Sequence, residues 1–343
     1  MQLRTKVQSR RVVVLAALML VAVGSSAVAA FAGGSLKTGQ TIYFIPKDTL
    51  NPYEVIADNG GKTSLSAIGD KQVVQSGTQD TAAAQEPAIQ AAIQNGASAI
   101  VIAGNDPQAL CPALKQAMAK GIAVVTFDSD TNCRQLFINQ ANTQDIGESE
   151  VQLIGKEMNY TGQLAILSAE STATNQNSWI HWMKVELAKP QYKNMQLVKI
   201  YYGNDNPADS LADTEAMLQA YPNLKGIISP TTVGISSAAQ YLSHSKYKGK
   251  IILTGLGLPS QMKEYVDDGT VQAFELWNPG NLGYLAGYAA ASIASGLITG
   301  KPGQSFSAGM LGKYTIISAT GGPQVVLGPP TVFNKANVGK FNF

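Results

Sequence analysis

Hydrophobic and polar positions along this chain alternate between two periods, one of strands and one of helices. Thr41–Pro46 reads as a strand, Gly60–Ile68 as a weak helix and Asp70–Ser76 as a strand. Thr81–Asn95 carries apolar residues at helical spacing, and Ala99–Ala103 is a continuous apolar run of the kind buried on both faces of a parallel sheet. Asp106 is placed to cap a helix that runs to Lys120 and stops at Gly121; strands at Ile122–Phe127 and Leu136–Asn139 follow. The rhythm then restarts. Helices over Ile146–Met158, Asn177–Ala188, Ser210–Ala220, Ile235–Ser243, Ser260–Val266 and Leu282–Ser295 alternate with strands over Leu164–Ser168, Gln196–Tyr202, Gly226–Ser229, Lys250–Thr254 and Val271–Leu276. Alternation of this kind makes parallel sheets with helices on both faces. From Ser305 to Phe343 the pattern shortens to strands and turns, broken by Gly321-Gly322-Pro323 and Gly328-Pro329-Pro330. The fold class is α/β, in two doubly wound parallel-sheet lobes.

The N-terminus stands apart from this pattern. Arg4, Lys6, Arg10 and Arg11 precede an apolar run over Val12–Val23 and then small residues, with Ala27-Val28-Ala29 and Ala30-Phe31-Ala32 both fitting a small-x-small cleavage rule. That is the layout of a secretory signal peptide over residues 1–32, and the apolar run is shorter than the roughly 20 residues of a spanning helix. It predicts an extracytoplasmic, periplasmic location; Ser9-Arg10-Arg11 leaves Sec and twin-arginine export both open. Cleavage removes four basic residues and no acid, so the 25 Lys+Arg of the whole chain become 21 against 23 Asp+Glu, a net charge of −2. A near-neutral chain argues against nucleic acid or an anionic membrane as partner. Arg134 is then the sole arginine, which also disfavours a phosphate-rich ligand. Two cysteines, Cys111 and Cys133, suggest a disulfide outside the cytoplasm, with two buried thiols as the other reading. With these and only His181 and His244, no metal site and no cofactor is expected.

In open parallel sheets ligands sit beyond the carboxyl ends of the strands. The segments there are Lys47 onward, Gly104-Asn105-Asp106, Asp128-Ser129-Asp130, Asn139-Gln140, Ala169–Trp179, Pro230-Thr231-Thr232, Gly255–Pro259 and Trp277-Asn278. Amides, carboxylates and hydroxyls exchange hydrogen bonds with a hydroxylated ring, and an indole covers its C–H face. Any one such residue is more often a helix cap; their recurrence at strand after strand carries the binding reading. No chemistry accompanies it. Gly-x-Ser-x-Gly is absent, Gly255-Leu256-Gly257 lacks the third glycine of a dinucleotide loop because Ser260 stands there, and Asp128 and Asp130 on one strand end do not face each other across a bond as glycosidase carboxyls do. No catalytic residue and no enzyme activity is expected.

Several of these segments carry a family resemblance over essentially the whole mature chain: Phe44-Ile45-Pro46-Lys47, Leu110-Cys111-Pro112-Ala113-Leu114-Lys115, Phe127-Asp128-Ser129-Asp130, Asn139-Gln140 and Phe333-Asn334-Lys335. The chain resembles the periplasmic type I sugar-binding proteins of ABC importers, in the cluster of rhamnose-binding proteins and autoinducer-2 receptors. Autoinducer-2 receptors hold their ligand with a Lys, an Asp, an Asp-Gln pair and a Pro-x-Ala. Lys47, Asp128, Gln176 and Pro230 match, whereas Asn175 replaces an Asp and Thr232 an Ala. The stretches Thr172–Asn177, Pro230–Ile235, Leu253–Ser260 and Leu276–Pro279 look like the rhamnose-binding branch instead. The resemblance implies a sugar, rhamnose or a related deoxyhexose, captured by a monomer that docks on a membrane permease and its ATPase. It implies lobes of residues 33–140 plus 273–305 and 141–272 plus 306–343, with crossings near Asn139-Gln140, Val271–Phe274 and Gly303–Ala308. The implied ligand set is Lys47, Asn105, Asp128 and Asp130 from one lobe, Asn175, Gln176, Trp179, Pro230 and Thr232 from the other, and Trp277 and Asn278 beside the second crossing. An autoinducer-2 sensor, a binding protein for another pentose or hexose, a sugar-acting enzyme and a sugar-responsive repressor are the rivals, the last excluded by the signal peptide standing where its DNA-binding helices would be.

Overall fold

The computed structural model describes residues 34–343, so the signal-peptide expectation over residues 1–32 lies outside the described residues. The chain builds a first sheet from β1 (Thr41–Ile45), β2 (Lys71–Val74), β3 (Ala99–Ile102), β4 (Ala123–Phe127) and β5 (Leu136–Asn139), with helices α1 (Pro52–Ala67), α2 (Ala82–Gln94) and α3 (Cys111–Ala119) as crossovers. A second sheet follows from β6 (Thr161–Ser168), β7 (Asn194–Tyr202), β8 (Leu224–Ser229) and β9 (Ile252–Gly255), interleaved with α4 (Thr143–Glu157), α5 (Thr174–Leu187), α6 (Pro207–Ala220), α7 (Thr232–Ser243) and α8 (Pro259–Asp267). The C-terminal part comprises β10 (Ala273–Leu276), α9 (Pro279–Ala294), β11 (Ser305–Ser307), β12 (Lys313–Thr315), β13 (Ile317–Ala319), β14 (Gly322–Val326) and β15 (Thr331–Asn334). The order β13-β14-β5-β4-β3-β1-β2 in one sheet and β7-β6-β8-β9 in the other is the doubly wound arrangement expected from the alternating pattern.

The lobe boundaries differ from the expectation. β10 pairs with β15 and touches Leu256 through an isolated bridge to Glu275, so residues 273–276 extend the second lobe, and the chain crosses at Trp277-Asn278. β14 pairs in parallel with β5, so residues 317–326 complete the first sheet instead of returning to the second. The last crossing is therefore Leu327–Pro330, not Gly303–Ala308. The reason is local: Gly328-Pro329-Pro330 cannot continue a ladder, whereas Val325 alongside β5 is buried. The first crossing, after Asn139, is where the strand pattern put it.

Local chemistry also moves two helix starts. α1 begins at Pro52, because the Asn51 side chain accepts from the Tyr53 N–H and Pro52 suits the first turn. α3 begins at Cys111, later than expected, because the Asp106 side chain takes the N–H groups of Gln108 and Ala109 in a turn that precedes the helix. Cys111 and Cys133 then stand with Cα atoms 5.3 Å apart, within bridging range. Among the described residues no helix is long and apolar enough to cross a membrane.

α9 is the apolar keel of the first lobe. Its residues from Leu282 to Ile293 are all buried, and it lies against α1 along a seam of small residues. A Cβ on Gly283 would lie 1.8 Å from the Ala57 carbonyl oxygen, and one on Gly60 would lie 1.9 Å from that of Gly280. Backbones this close need glycine on both helices.

Two buried carboxyls lie under the second crossing. Glu275 Oε1 accepts from the Ser149 hydroxyl at 2.5 Å, its other oxygen has no partner, and both oxygens of Glu150 are unpartnered. Burial pushes Glu275 from 4.5 to about 8, and it pushes Glu150 well up, helped by the nearby Glu275.

Two outcomes follow from this packing. Gly283→Ala should lower unfolding free energy by about 1–3 kcal/mol through overpacking, although Ala gains up to about 1 kcal/mol at an open helical site; urea denaturation showing a gain would overturn the seam. Folded Glu275 keeps its proton to about pH 8 while the unfolded carboxyl loses it near 4.5. The folded state binds more protons across that window, so stability falls as pH rises through it. Glu275→Gln should flatten this decline and be more stable than wild type at pH 8, as read from urea midpoints at pH 5, 6.5 and 8.

Candidate functional site

The carboxyl ends of both sheets meet at a narrow cavity of about 30 Å³ between the lobes, about the volume of one water molecule. Asp128 stands at its centre. It follows β4 with φ of 58°, a left-handed conformation that costs a non-glycine residue about 1–3 kcal/mol and that persists only where the surroundings impose it. Asp128 is buried, and each of its oxygens has a donor. Oδ1 accepts from the Tyr53 hydroxyl at 2.9 Å, and Oδ2 accepts from Asn175 Nδ2 at 3.0 Å. Lys47 Nζ lies 3.9 Å from Oδ2.

The remaining groups are held in tiers around this carboxylate. Lys47 follows β1, and its backbone carbonyl accepts from Asn105 Nδ2 at 2.9 Å. Asn105 follows β3; its N–H donates to Gln85 Oε1, and Gln85 Nε2 binds the carbonyls of Pro46 and Ala103, so one buried glutamine on α2 ties the ends of β1 and β3 together. On the second lobe, Asn175 and Gln176 occupy the first turn of α5, with Trp179 on its next turn. The Asn175 Oδ1 accepts the Gln176 N–H, which leaves the amide Nδ2 to point across the cleft at Asp128. Trp277, at the second crossing, donates its Nε1–H to the Tyr53 hydroxyl at 2.7 Å, and its ring lies 5.8 Å from that of Trp179. Pro230 and Thr232, at the end of β8, line the same cavity. Asn105 Oδ1, Gln176 Oε1 and Glu54 Oε2 are buried here without a partner; such groups call for a donor from a bound molecule or water.

The electrostatics centre on one buried ammonium. Burial works against the charged form of Lys47, but Asp128, then Glu170, Asp205 and Asp80, outweigh it and lift its pKa above the ordinary 10.5. Burial raises the Asp128 carboxyl, while Lys47 and the hydrogen bonds of Tyr53 and Asn175 pull the other way. Burial and the Asp128 charge together push Tyr53 and Glu54 well up. The site is thus a polar floor in which one ammonium faces several carboxyls, beneath indole walls.

Two expected site residues are elsewhere. Asp130 is held by Arg134 in a two-pronged ion pair, Nε to Oδ1 at 2.9 Å and Nη2 to Oδ2 at 2.7 Å, and also takes the Thr126 hydroxyl at 2.6 Å. Both residues lie beyond the end of β4, and the left-handed backbone at Asp128 breaks the strand's alternation, so Asp128 turns into the cavity while Arg134 holds Asp130 outside it. Asn278 caps α9, its Oδ1 accepting the Asn281 N–H, the ordinary role of a polar residue after a strand. Tyr53 and Glu54 also reach the site, from a first turn of α1 that lies ahead of the helix the sequence pattern predicts, and Asp205 reaches it from beyond the end of β7. The signals were present: Asn51-Pro52 as a helix start and Gly203-Asn204-Asp205 as a turn, with Asn204 and Asp205 both at positive φ.

Residues 42–298 match the family model described as periplasmic binding protein domain. A solute-binding protein of an ABC transporter from Clostridium phytofermentas, with bound L-rhamnose, superposes with a TM-score of 0.87 at 41% identity, over 89% of this chain and 98% of that one. LsrB from Clostridium saccharobutylicum, in complex with AI-2, gives a TM-score of 0.82 at 26% identity over 88% and 100% of the two chains. The D-ribose/D-allose-binding protein of Pseudomonas aeruginosa is 24% identical over 78% of this chain and 86% of its own length. With two doubly wound lobes and a family match over residues 42–298, the chain belongs to the periplasmic binding proteins.

Proposed function

We propose that this protein is the solute-binding subunit of an ABC sugar importer, that it captures L-rhamnose or a related deoxyhexose between its lobes, and that it performs no chemistry on it. The observation that carries the reading is Asp128, a buried carboxylate in a left-handed backbone at the lobe junction, with Asn175 of the opposite lobe donating to it. A neutral sugar donates hydroxyls to Asp128, Asn105 Oδ1 and Gln176 Oε1, takes a bond from Lys47, and lays its C–H face on Trp179 and Trp277. Leu256 and Leu276 give the same cavity an apolar side, suited to the methyl of a 6-deoxy sugar. The 41% identity to a protein holding L-rhamnose supports that choice.

Position 175 weighs against the autoinducer-2 alternative. The Asn175 amide donates to Asp128 at 3.0 Å; an aspartate there would set two carboxylates face to face. Thr232 adds a hydroxyl where those receptors have a methyl.

A sugar that touches both lobes shifts the balance from open to closed forms. The closed monomer then docks on the permease and its ATPase. The basic and apolar leader over residues 1–32 supports export to the periplasm, and in that oxidising compartment Cys111 and Cys133 form a disulfide that pins the start of α3 to the loop after β4.

L-Rhamnose should raise the melting temperature of the purified mature chain, because a ligand of the folded state alone stabilises it. Asp128→Ala should abolish the rise while circular dichroism stays unchanged; a variant with undiminished affinity would overturn the site, and a rise with another sugar but none with L-rhamnose would overturn the substrate. The double variant Cys111→Ser/Cys133→Ser should lose about 3 kcal/mol of stability, the loop-closure contribution for a bridge of this span. Equal urea midpoints for oxidised wild type and the double variant would remove the bridge.

A further inference from the structure

Three carboxyl groups beside the junction cavity have no part in the proposed hydroxyl-binding set. Asp80 lies between β2 and α2 of the first lobe, and Glu170 and Asp205 lie beyond β6 and β7 of the second. One carboxylate oxygen from each comes within 4.8 Å of the other two. Glu170 is 8% exposed, and neither of its oxygens has a hydrogen-bond donor. Both oxygens of Asp80 are likewise buried and unpartnered, and Asp205 accepts from the Thr231 hydroxyl. Lys47 faces them, but its ammonium sits against Asp128. Glu54, Asp80, Asp128, Glu170 and Asp205 thus set five carboxyls around one ammonium.

We propose that Asp80, Glu170 and Asp205 form a divalent-cation site with the chemistry of calcium, assembled only when the lobes close. An unpartnered buried carboxylate aimed at two others lacks a positive charge, and hard oxygen ligands select a hard cation. Calcium binds oxygens at about 2.3–2.6 Å, so two oxygens on one ion stand up to about 5 Å apart; magnesium, at about 2.1 Å, needs them within about 4 Å. With every pair within 4.8 Å, the three oxygens fall inside the span that calcium's oxygen shell allows, and water would complete the shell. Because the ligands are divided between lobes, the ion binds the closed form and adds to the free energy with which a sugar closes the cleft.

The test uses the full mature protein, stripped with EDTA and desalted at pH 7. Calcium chloride should raise its melting temperature, magnesium chloride should do so at higher concentration, and terbium should bind with sensitised luminescence. Asp80→Asn and Glu170→Gln should each weaken calcium and terbium binding by about tenfold or more while keeping the L-rhamnose-induced rise measured in EDTA. Calcium should tighten L-rhamnose binding to wild type by about fivefold or more. No calcium-dependent rise and no terbium binding in wild type, or variants with unchanged calcium midpoints, would overturn the site; L-rhamnose affinity independent of calcium would overturn its assignment to the closed form. If Glu170→Gln fails to fold, Asp80→Asn decides. A calcium response without any sugar response counts against the sugar reading alone, and the reverse counts against the cation site alone.

Discussion

Everything at the lobe junction depends on keeping one carboxylate, Asp128, charged and oriented while it is buried. A carboxylate taken from water costs several kcal/mol unless its partners replace the lost solvation. Tyr53, Asn175 and Lys47 supply those partners from α1, α5 and the end of β1. Two of the three belong to the first lobe and one to the second, so the full set of partners assembles only when the lobes meet. The same requirement explains the strained backbone at Asp128, which turns the carboxylate into the cleft while Asp130 turns outward to Arg134.

The scaffold serves that placement. α9 and α1 pack backbone against backbone through glycines, which fixes α1 at the depth where Tyr53 reaches both Asp128 and Trp277. The second crossing begins at Trp277 itself, so the indole that stacks near Trp179 is also part of the connection between lobes. Gln85 joins the ends of β1 and β3 and thereby holds Lys47 and Asn105 in register. Hinge, wall and floor are thus built from adjacent residues, and a change in lobe angle reaches the carboxylate directly.

Much of this was legible along the chain. Continuous apolar strands such as Ala99–Ile102 and helices of period 3.6 specify a doubly wound α/β fold because burial on two faces and on one face leave different patterns. The strand-end rule located Lys47, Asn105, Asp128, Asn175 and Trp277 for the same reason: parallel sheets direct all their outgoing loops to one edge. Asn278 and Asp130 followed the rule and yet lie outside the cavity, since a polar residue after a strand serves a cap or an ion pair equally well.

What the sequence determined by itself was the class of fold, the edge on which the site lies and the polar and aromatic character of that site, all consequences of local periodicity and residue chemistry. Tertiary structure alone decided which lobe receives residues 317–326, because pairing with β5 depends on an edge left open far away in the chain. It also decided that Tyr53 joins Asp128 to Trp277, and that Asp80 meets Glu170 and Asp205. These are contacts between residues separated by 75 to 224 positions in the first case and by most of a lobe in the second. No local pattern encodes such distances; only the closed packing of the two sheets brings them together.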